Sequence, residues 1–212
     1  MNFKKINIKV CGMRDETNIK ELVKISPDYI GFNFYPESQR YIGEDFDPVI
    51  SCNIPESISK VGVFVNAGKD SIVEKHKMFK LNLIQLHGGE TADFCRQLFI
   101  QGIHVIKVFN VDDKFDFSGV EPYKPYCKYF LFDTKCKTYG GSGRKFNWDI
   151  LQGYNNEIPV LLSGGIDIDD INSIKNIKNI NICAVDINSR FETEPGIKDI
   201  FKIKKFIQKL KY

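Results

Sequence analysis

The 212-residue chain is 42% hydrophobic, 13% aromatic and 27% charged, a balance that suits a globular core and argues against disorder. Thirty Lys and Arg against 27 Asp and Glu leave a scattered formal charge of +3, too weak to argue for nucleic acid. No apolar run reaches the ~18 residues of a membrane helix, and Met1–Val10 alternates polar and apolar residues instead of carrying a signal peptide's apolar stretch. The six cysteines (Cys11, Cys52, Cys95, Cys127, Cys136, Cys183) show no CxxC pair and no histidine at zinc spacing. They read as cytosolic thiols, so a cytoplasmic protein without a metal, a disulfide scaffold or a membrane partner is expected.

The first strand is expected over Ile6–Val10 and ends in Lys9-Val10-Cys11-Gly12. Cys11 stands where a base or nucleophile would, and equally where a buried structural cysteine would. Asp15–Ile25 carries Ile19, Leu22, Val23 and Ile25 at helical spacing, with Asp15 as N-cap. The second strand, Tyr29–Phe34, leads into Tyr35-Pro36-Glu37-Ser38-Gln39-Arg40, where Arg40 is either an anion clamp or a solvated cation. Glu44–Ile54 is a short, poor helix between Pro48 and Pro55. A third strand, Lys60–Val65, ends at Asn66, and the Asp70–Phe79 helix follows.

The fourth strand, Leu83–Leu86, presents Gln85 and His87 at its end, His87 as a base, a donor or a structural hydrogen bond. A helix over Thr91–Phe99 and a strand over His104–Val108 come next. Lys107 on that strand is either a Schiff-base lysine or only a cation. Val111–Cys127, with Gly119, Pro122 and Pro125, is expected to be irregular with one helical turn. The sixth strand, Tyr129–Phe132, ends at Asp133, a general acid or base, or a turn cap. The Gly-rich loop after it, with Gly141 and Gly143, is a lid or an anion cradle. Helices over Phe146–Leu151, Asp167–Ile177 and Gly196–Leu210 flank strands over Pro159–Leu162 and Ile182–Ile187.

Eight strands alternating with helices, about 26 residues per unit, predict an α/β fold: a single (β/α)8 TIM barrel domain of eight parallel strands over residues 1–212. In such barrels the strands' C-terminal ends carry the site. Gly164 and Gly165 after strand seven, with Asn188 and Ser189 after strand eight, match the phosphate-binding position of these barrels. Asp186 would repel a phosphate and suits a sugar hydroxyl. The physical reading is a phosphate-binding barrel with a thiol and a carboxylate across its mouth.

In order and spacing, these segments resemble phosphoribosylanthranilate isomerase. They run from Lys9-Val10-Cys11-Gly12 through Ser38-Gln39-Arg40, Gln85-Leu86-His87-Gly88, Asp133 and Gly140-Gly141-Ser142-Gly143 to Leu162-Ser163-Gly164-Gly165, Val185-Asp186 and Pro195-Gly196-Ile197-Lys198-Asp199. The resemblance implies an Amadori rearrangement of N-(5-phosphoribosyl)anthranilate in tryptophan biosynthesis, without a cofactor. Asp133 matches the family's general acid, Cys11 its general base and Arg40 the partner of the anthranilate carboxylate. Gly164, Gly165, Asn188 and Ser189 would hold the phosphate, and Asp186 the sugar. Departures are Gln39 where the family usually has Pro, Ser142 where it has Thr, and Arg190 in a strand-eight segment that commonly reads Ser-Ser-Gly-Val-Glu. The alternatives are the related isomerase of histidine synthesis and a non-catalytic phosphate-ligand barrel. The expected partner is a small sugar phosphate, with the chain a monomer or a homodimer.

Overall fold

The computed structural model describes residues 6–134, 147–155, 157–178 and 180–211. Strand β1 (Asn7–Val10) pairs in parallel with β2 (Tyr29–Asn33). Pairing continues through β3 (Ser59–Phe64), β4 (Leu83–Leu86), β5 (Val105–Val111), β6 (Tyr129–Thr134), β7 (Val160–Leu162) and β8 (Ile182–Ile187). Strand β8 returns to β1, with Asn7 opposite Ala184 and Val10 opposite Ile187, and closes the barrel.

Successive strand side chains point to opposite faces, so each strand feeds two cores. Tyr29, Val61, Leu83, Ile106, Val108, Leu131, Leu161 and Ala184 pack together inside the barrel. Their neighbours Ile8, Val10, Ile30, Phe32, Ile84, Leu86, Phe130, Phe132 and Val185 pack outward against the surrounding helices. This alternation fixes the site. Lys9 lies between two outward residues and therefore points inward. By the same parity so do Cys11, Gln85, His87, Asp133 and Asp186.

Helices α1 (Glu16–Lys24), α2 (Pro48–Cys52), α3 (Lys69–Met78) and α4 (Ala92–Phe99) fall where periodicity predicts them. Asp15 caps α1, its carboxylate accepting from the Asn18 N–H at 2.7 Å, and Thr91 caps α4. The segment after β5 departs from expectation. It forms a ten-residue 3-10 helix, Phe117–Tyr126, that contains both Pro122 and Pro125. Aromatic packing holds it, with Phe117 against Phe132 at 5.5 Å and Tyr123 against Phe109 at 5.3 Å. Trp148–Gly153 is also 3-10, not α-helical. Asp167 and Asp170 form a capping box at a 3-10 turn, Ile168–Asp170, that leads into α5 (Ile171–Asn176).

The expected Gly196–Leu210 helix starts late. Residues before it form an antiparallel hairpin of β9 (Glu192–Glu194) and β10 (Ile197–Lys198), and α6 spans Ile200–Lys211. Gly196 turns the hairpin at φ +90°, next to Pro195. No helix among the described residues is long and apolar enough to cross a membrane.

Candidate active site

The deepest group at the C-terminal mouth is Lys9, fully buried on β1. Its ammonium donates to Asp186 Oδ1 on β8 at 2.9 Å, so each charge has a partner without water. Cys11 follows two residues along the same face and is 6% exposed. The Cys11 N–H donates to the Ile187 carbonyl at 3.0 Å, extending the β1–β8 seam beyond the strand. Gly31 on β2 makes room for the thiol, because a Cβ there would stand 2.9 Å from Cys11 Sγ.

Charge around the thiol pulls both ways. Burial pushes the Cys11 thiol up, and Asp186 adds to that. Lys9 and Lys198 pull it down, but burial wins and the thiol stands above the ordinary cysteine range. Burial depresses Lys9, but Asp186 and Cys11 outweigh that and hold the ammonium above the ordinary lysine range. Burial pushes the Asp186 carboxyl up against the pull of Lys9.

Asp133, at the end of β6, stands 3.5 Å from His87 Nε2 on the β4 side. Its other oxygen, Oδ1, accepts from the Thr134 N–H at 2.8 Å. Gly164, at φ +97°, closes against this corner, where a Cβ would meet Thr134 Oγ1 at 2.3 Å and Asp133 Oδ1 at 3.4 Å. Asp186 feels the charges of Lys9, Asp133 and His87 together. One carboxylate thus links the thiol's neighbourhood to that of Asp133.

The rim is an ion network. Arg40 donates Nε to Glu192 Oε1 at 2.9 Å and Nη2 to Oε2 at 2.7 Å. Lys198 also bonds Glu192, and it donates to Asn188 Oδ1 at 2.8 Å. Helix α1 positions Lys198. The buried Asn18 amide donates to the Lys198 carbonyl at 2.9 Å and accepts its N–H at 2.7 Å, like one more rung of a sheet. Gly12, at φ +77°, lets Arg40 cross the end of β1, since a Cβ there would stand 2.7 Å from Arg40 Cδ. Gln39 sits in a tied loop. The Ser38 hydroxyl accepts from Asn33 Nδ2 at 2.9 Å and from the Arg40 N–H at 3.1 Å, and Arg14 donates to the Gln39 carbonyl at 2.9 Å.

Most residues singled out from the sequence therefore stand at one mouth, but Arg40 is not a free clamp, because Glu192 already occupies one edge of its guanidinium. Gln85 is buried with Oε1 unpaired among the described residues. Gly164 and Gly165 both have positive φ, and Ser189 opens a 3-10 turn, Ser189–Phe191. Arg190 in that turn is exposed, its charge reaching Asp167. Gly141 and Gly143 lie outside the described residues.

The Schiff-base reading of Lys107 is corrected. Ile106 and Val108 face the barrel interior, so Lys107 faces outward. There its ammonium donates to Glu90 Oε2 at 3.0 Å and to the Gly88 carbonyl at 2.8 Å. Lys9, Glu192 and Lys198 had no role assigned from sequence. Only Lys9 had a local signal: a lysine between apolar residues of a doubly covered strand must meet an anion.

Residues 8–209 match the family model for N-(5'-phosphoribosyl)anthranilate (PRA) isomerase. A relative from Parabacteroides distasonis, an N-(5'-phosphoribosyl)anthranilate isomerase, is 45% identical over 205 residues, covering 96% of this chain and 92% of its own. The crystal structure of phosphoribosyl anthranilate isomerase from Thermotoga maritima matches with a TM-score of 0.85 at 33% identity, over 98% of this chain and 99% of that one. A phosphoribosyl anthranilate isomerase in complex with reduced 1-(o-carboxyphenylamino)-1-deoxyribulose 5-phosphate matches with a TM-score of 0.81 at 31% identity, over 98% and 99% of the two chains.

Proposed function

The chain belongs to the N-(5'-phosphoribosyl)anthranilate isomerase family, an isomerase of tryptophan biosynthesis, and we propose that Cys11 is its general base and Asp133 its general acid. The reaction is an internal oxidation and reduction of one sugar. Asp133 gives its proton to the furanose ring oxygen, the C1′–O bond breaks, and the anthranilate nitrogen's lone pair forms an iminium at C1′. That cation is an electron sink, so the C2′ proton becomes acidic. The Cys11 thiolate takes it, and the C–H electrons form the C1′–C2′ double bond of an enolamine. Tautomerisation then moves a proton to C1′ and leaves a ketone at C2′.

The remaining groups orient the substrate. Asp186 spends Oδ1 on Lys9, and its second oxygen takes a sugar hydroxyl. Gly164 and Gly165, with Asn188 and Ser189, hold the phosphate through backbone N–H groups. Arg40 takes the anthranilate carboxylate through Nη1, which bonds no other described residue, while Glu192 fixes its other edge. Gln85 and His87 line the same mouth, His87 beside the acid.

The observation that carries this reading is strand parity, which turns Cys11 after β1 and Asp133 on β6 toward the same barrel mouth, with the Lys9–Asp186 bridge and the His87–Asp133 contact beside them. The test is turnover of phosphoribosylanthranilate by Cys11→Ala and Asp133→Asn. Each is expected to lose about 10²–10⁴ in kcat. Near wild-type turnover by either variant would remove that residue from its role. The histidine-pathway substrate, assayed in parallel, is expected to give no product.

A further inference from the structure

We propose that Lys198 is a positioning residue that ties together the two ends of the substrate site: its one ammonium holds Glu192, which aims Arg40 at the anthranilate carboxylate, and Asn188, which stands in the phosphate loop. The inference rests on the reading of Arg40 and Asn188 given above and adds the group that sets their spacing.

A lysine usually keeps its ammonium in water. The Lys198 side chain is fully buried, so its place is set by what it bonds. Three contacts fix it. From outside the barrel, the Asn18 amide of α1 accepts the Lys198 N–H at 2.7 Å and donates to its carbonyl at 2.9 Å. The register of β9 and β10 sets Lys198 opposite Glu192, and its ammonium bonds Oε1 of that carboxylate. The same ammonium donates to Asn188 Oδ1 at 2.8 Å.

Both partners are committed by these bonds. Glu192 grips Arg40 at Nε and Nη2, which fixes the plane of the guanidinium. Asn188 precedes the 3-10 turn Ser189–Phe191, but its side chain makes no capping bond there. An asparagine in that position ordinarily caps its own turn. Here its Oδ1 is spent on Lys198 instead.

The two arms converge beside the base. A Cβ on Gly12, the residue after Cys11, would stand 2.7 Å from Arg40 Cδ and 3.0 Å from Asn188 Oδ1. The arm that meets the carboxylate and the arm that meets the phosphate thus flank the end of β1. A hairpin needing only a structural ion pair would be served by Glu192 alone. The bond to Asn188 carries the tie across to the loop after β8. A substrate with an anion at each end gains most from binding groups already spaced to its length.

The experiment measures, by calorimetry, the dissociation constant of reduced 1-(o-carboxyphenylamino)-1-deoxyribulose 5-phosphate. It is repeated with the same compound lacking its carboxylate and with the compound lacking its phosphate. Each omission gives a ratio, the affinity that end contributes. In Lys198→Met both ratios are expected to shrink by about fivefold or more. A merely structural lysine would weaken all three ligands alike, so a uniform loss overturns the proposal. A change in neither ratio, or in one alone, overturns it as well. If Lys198→Met does not fold, Asn18→Ala decides, because it frees the Lys198 backbone without touching either arm. Both ratios are then expected to shrink by about threefold or more, and unchanged ratios overturn the proposal. An unchanged carboxylate ratio in Arg40→Ala, or an unchanged phosphate ratio in Gly165→Ala, would instead overturn the underlying reading of that subsite.

Discussion

Arg40 and Glu192 meet in a two-point ion pair, Nε to Oε1 at 2.9 Å and Nη2 to Oε2 at 2.7 Å, across 152 residues of sequence. Both side chains are largely buried, and Lys198 shares the carboxylate. The pair joins the loop after β2 to the hairpin after β8, so it sets both the direction of Arg40 and the closure of the rim.

Glu192→Gln leaves Arg40 and Lys198 as two buried cations without their anion. Breaking a buried pair from one side costs about 3–5 kcal/mol. A domain of this size loses ~2–4 °C of Tm per kcal/mol, so a fall of roughly 6–20 °C is expected in differential scanning calorimetry. Arg40→Ala leaves Lys198 on Glu192, so it should cost less stability while raising KM about tenfold or more. Equal Tm losses in the two variants, with KM unchanged in Arg40→Ala, would contradict this division.

The same carboxylate predicts an acid limb. Burial pushes Glu192 up, but the Arg40 hydrogen bond and the Lys198 charge outweigh it and hold the carboxyl below the usual range. Its folded pKa is therefore below the unfolded value of about 4.3. The stability it contributes is fully present above that pH and is lost as pH falls through the folded value. Tm measured from pH 6 to 3 should drop below about pH 4.3, and Lys198→Met should flatten that drop. An identical slope in both proteins would show that Glu192 does not drive it.

Lys107 and Glu90 form a second buried pair, outside the barrel, with side chains 4% and 3% exposed. Glu90 also accepts from the Asn66 and Gly88 N–H groups, so the pair ties the ends of β3 and β4 to β5. Lys107→Met should cost about 3–5 kcal/mol and leave kcat of the folded enzyme within about twofold. Collapse of kcat with Tm unchanged would instead place Lys107 in the chemistry.

Gly164→Ala strains a left-handed residue and drives a methyl group toward Thr134 Oγ1 beside the acid. The expected cost is about 1–3 kcal/mol. The kcat should fall at least tenfold, because a displacement near 1 Å is costly in catalysis. Steady-state kinetics together with a melting curve check both halves.

The strands β4 and β8 are legible to the residue in the sequence. Both are covered on two faces, so each reads as a short apolar run that stops where solvent begins. Asp133 and Asp186 are legible for the same reason, each ending or interrupting such a run at an inward position. The 3-10 helix over Phe117–Tyr126 is not. Its two prolines speak against a helix locally, and the rings of Phe109 and Phe132 that hold it belong to other strands. The hairpin of β9 and β10 has only Pro195-Gly196 as a local sign. The Arg40–Glu192 pair has none at all, because barrel closure, not any nearby residue, brings its members together.

The seam where β8 returns to β1 has a consequence for how the chain is made. Lys9 and Asp186 are 177 residues apart. At translation rates of 5–20 residues per second, roughly ten to thirty-five seconds separate their synthesis. Throughout that interval the emerging amino-terminal half holds Lys9 and Arg40 without counterions, and water is the only medium that can keep them. Ribosome-stalled chains ending before β8 should therefore stay open to protease through β1, and those carrying the hairpin should resist it. Completion of the last strand and birth of a competent enzyme become one event.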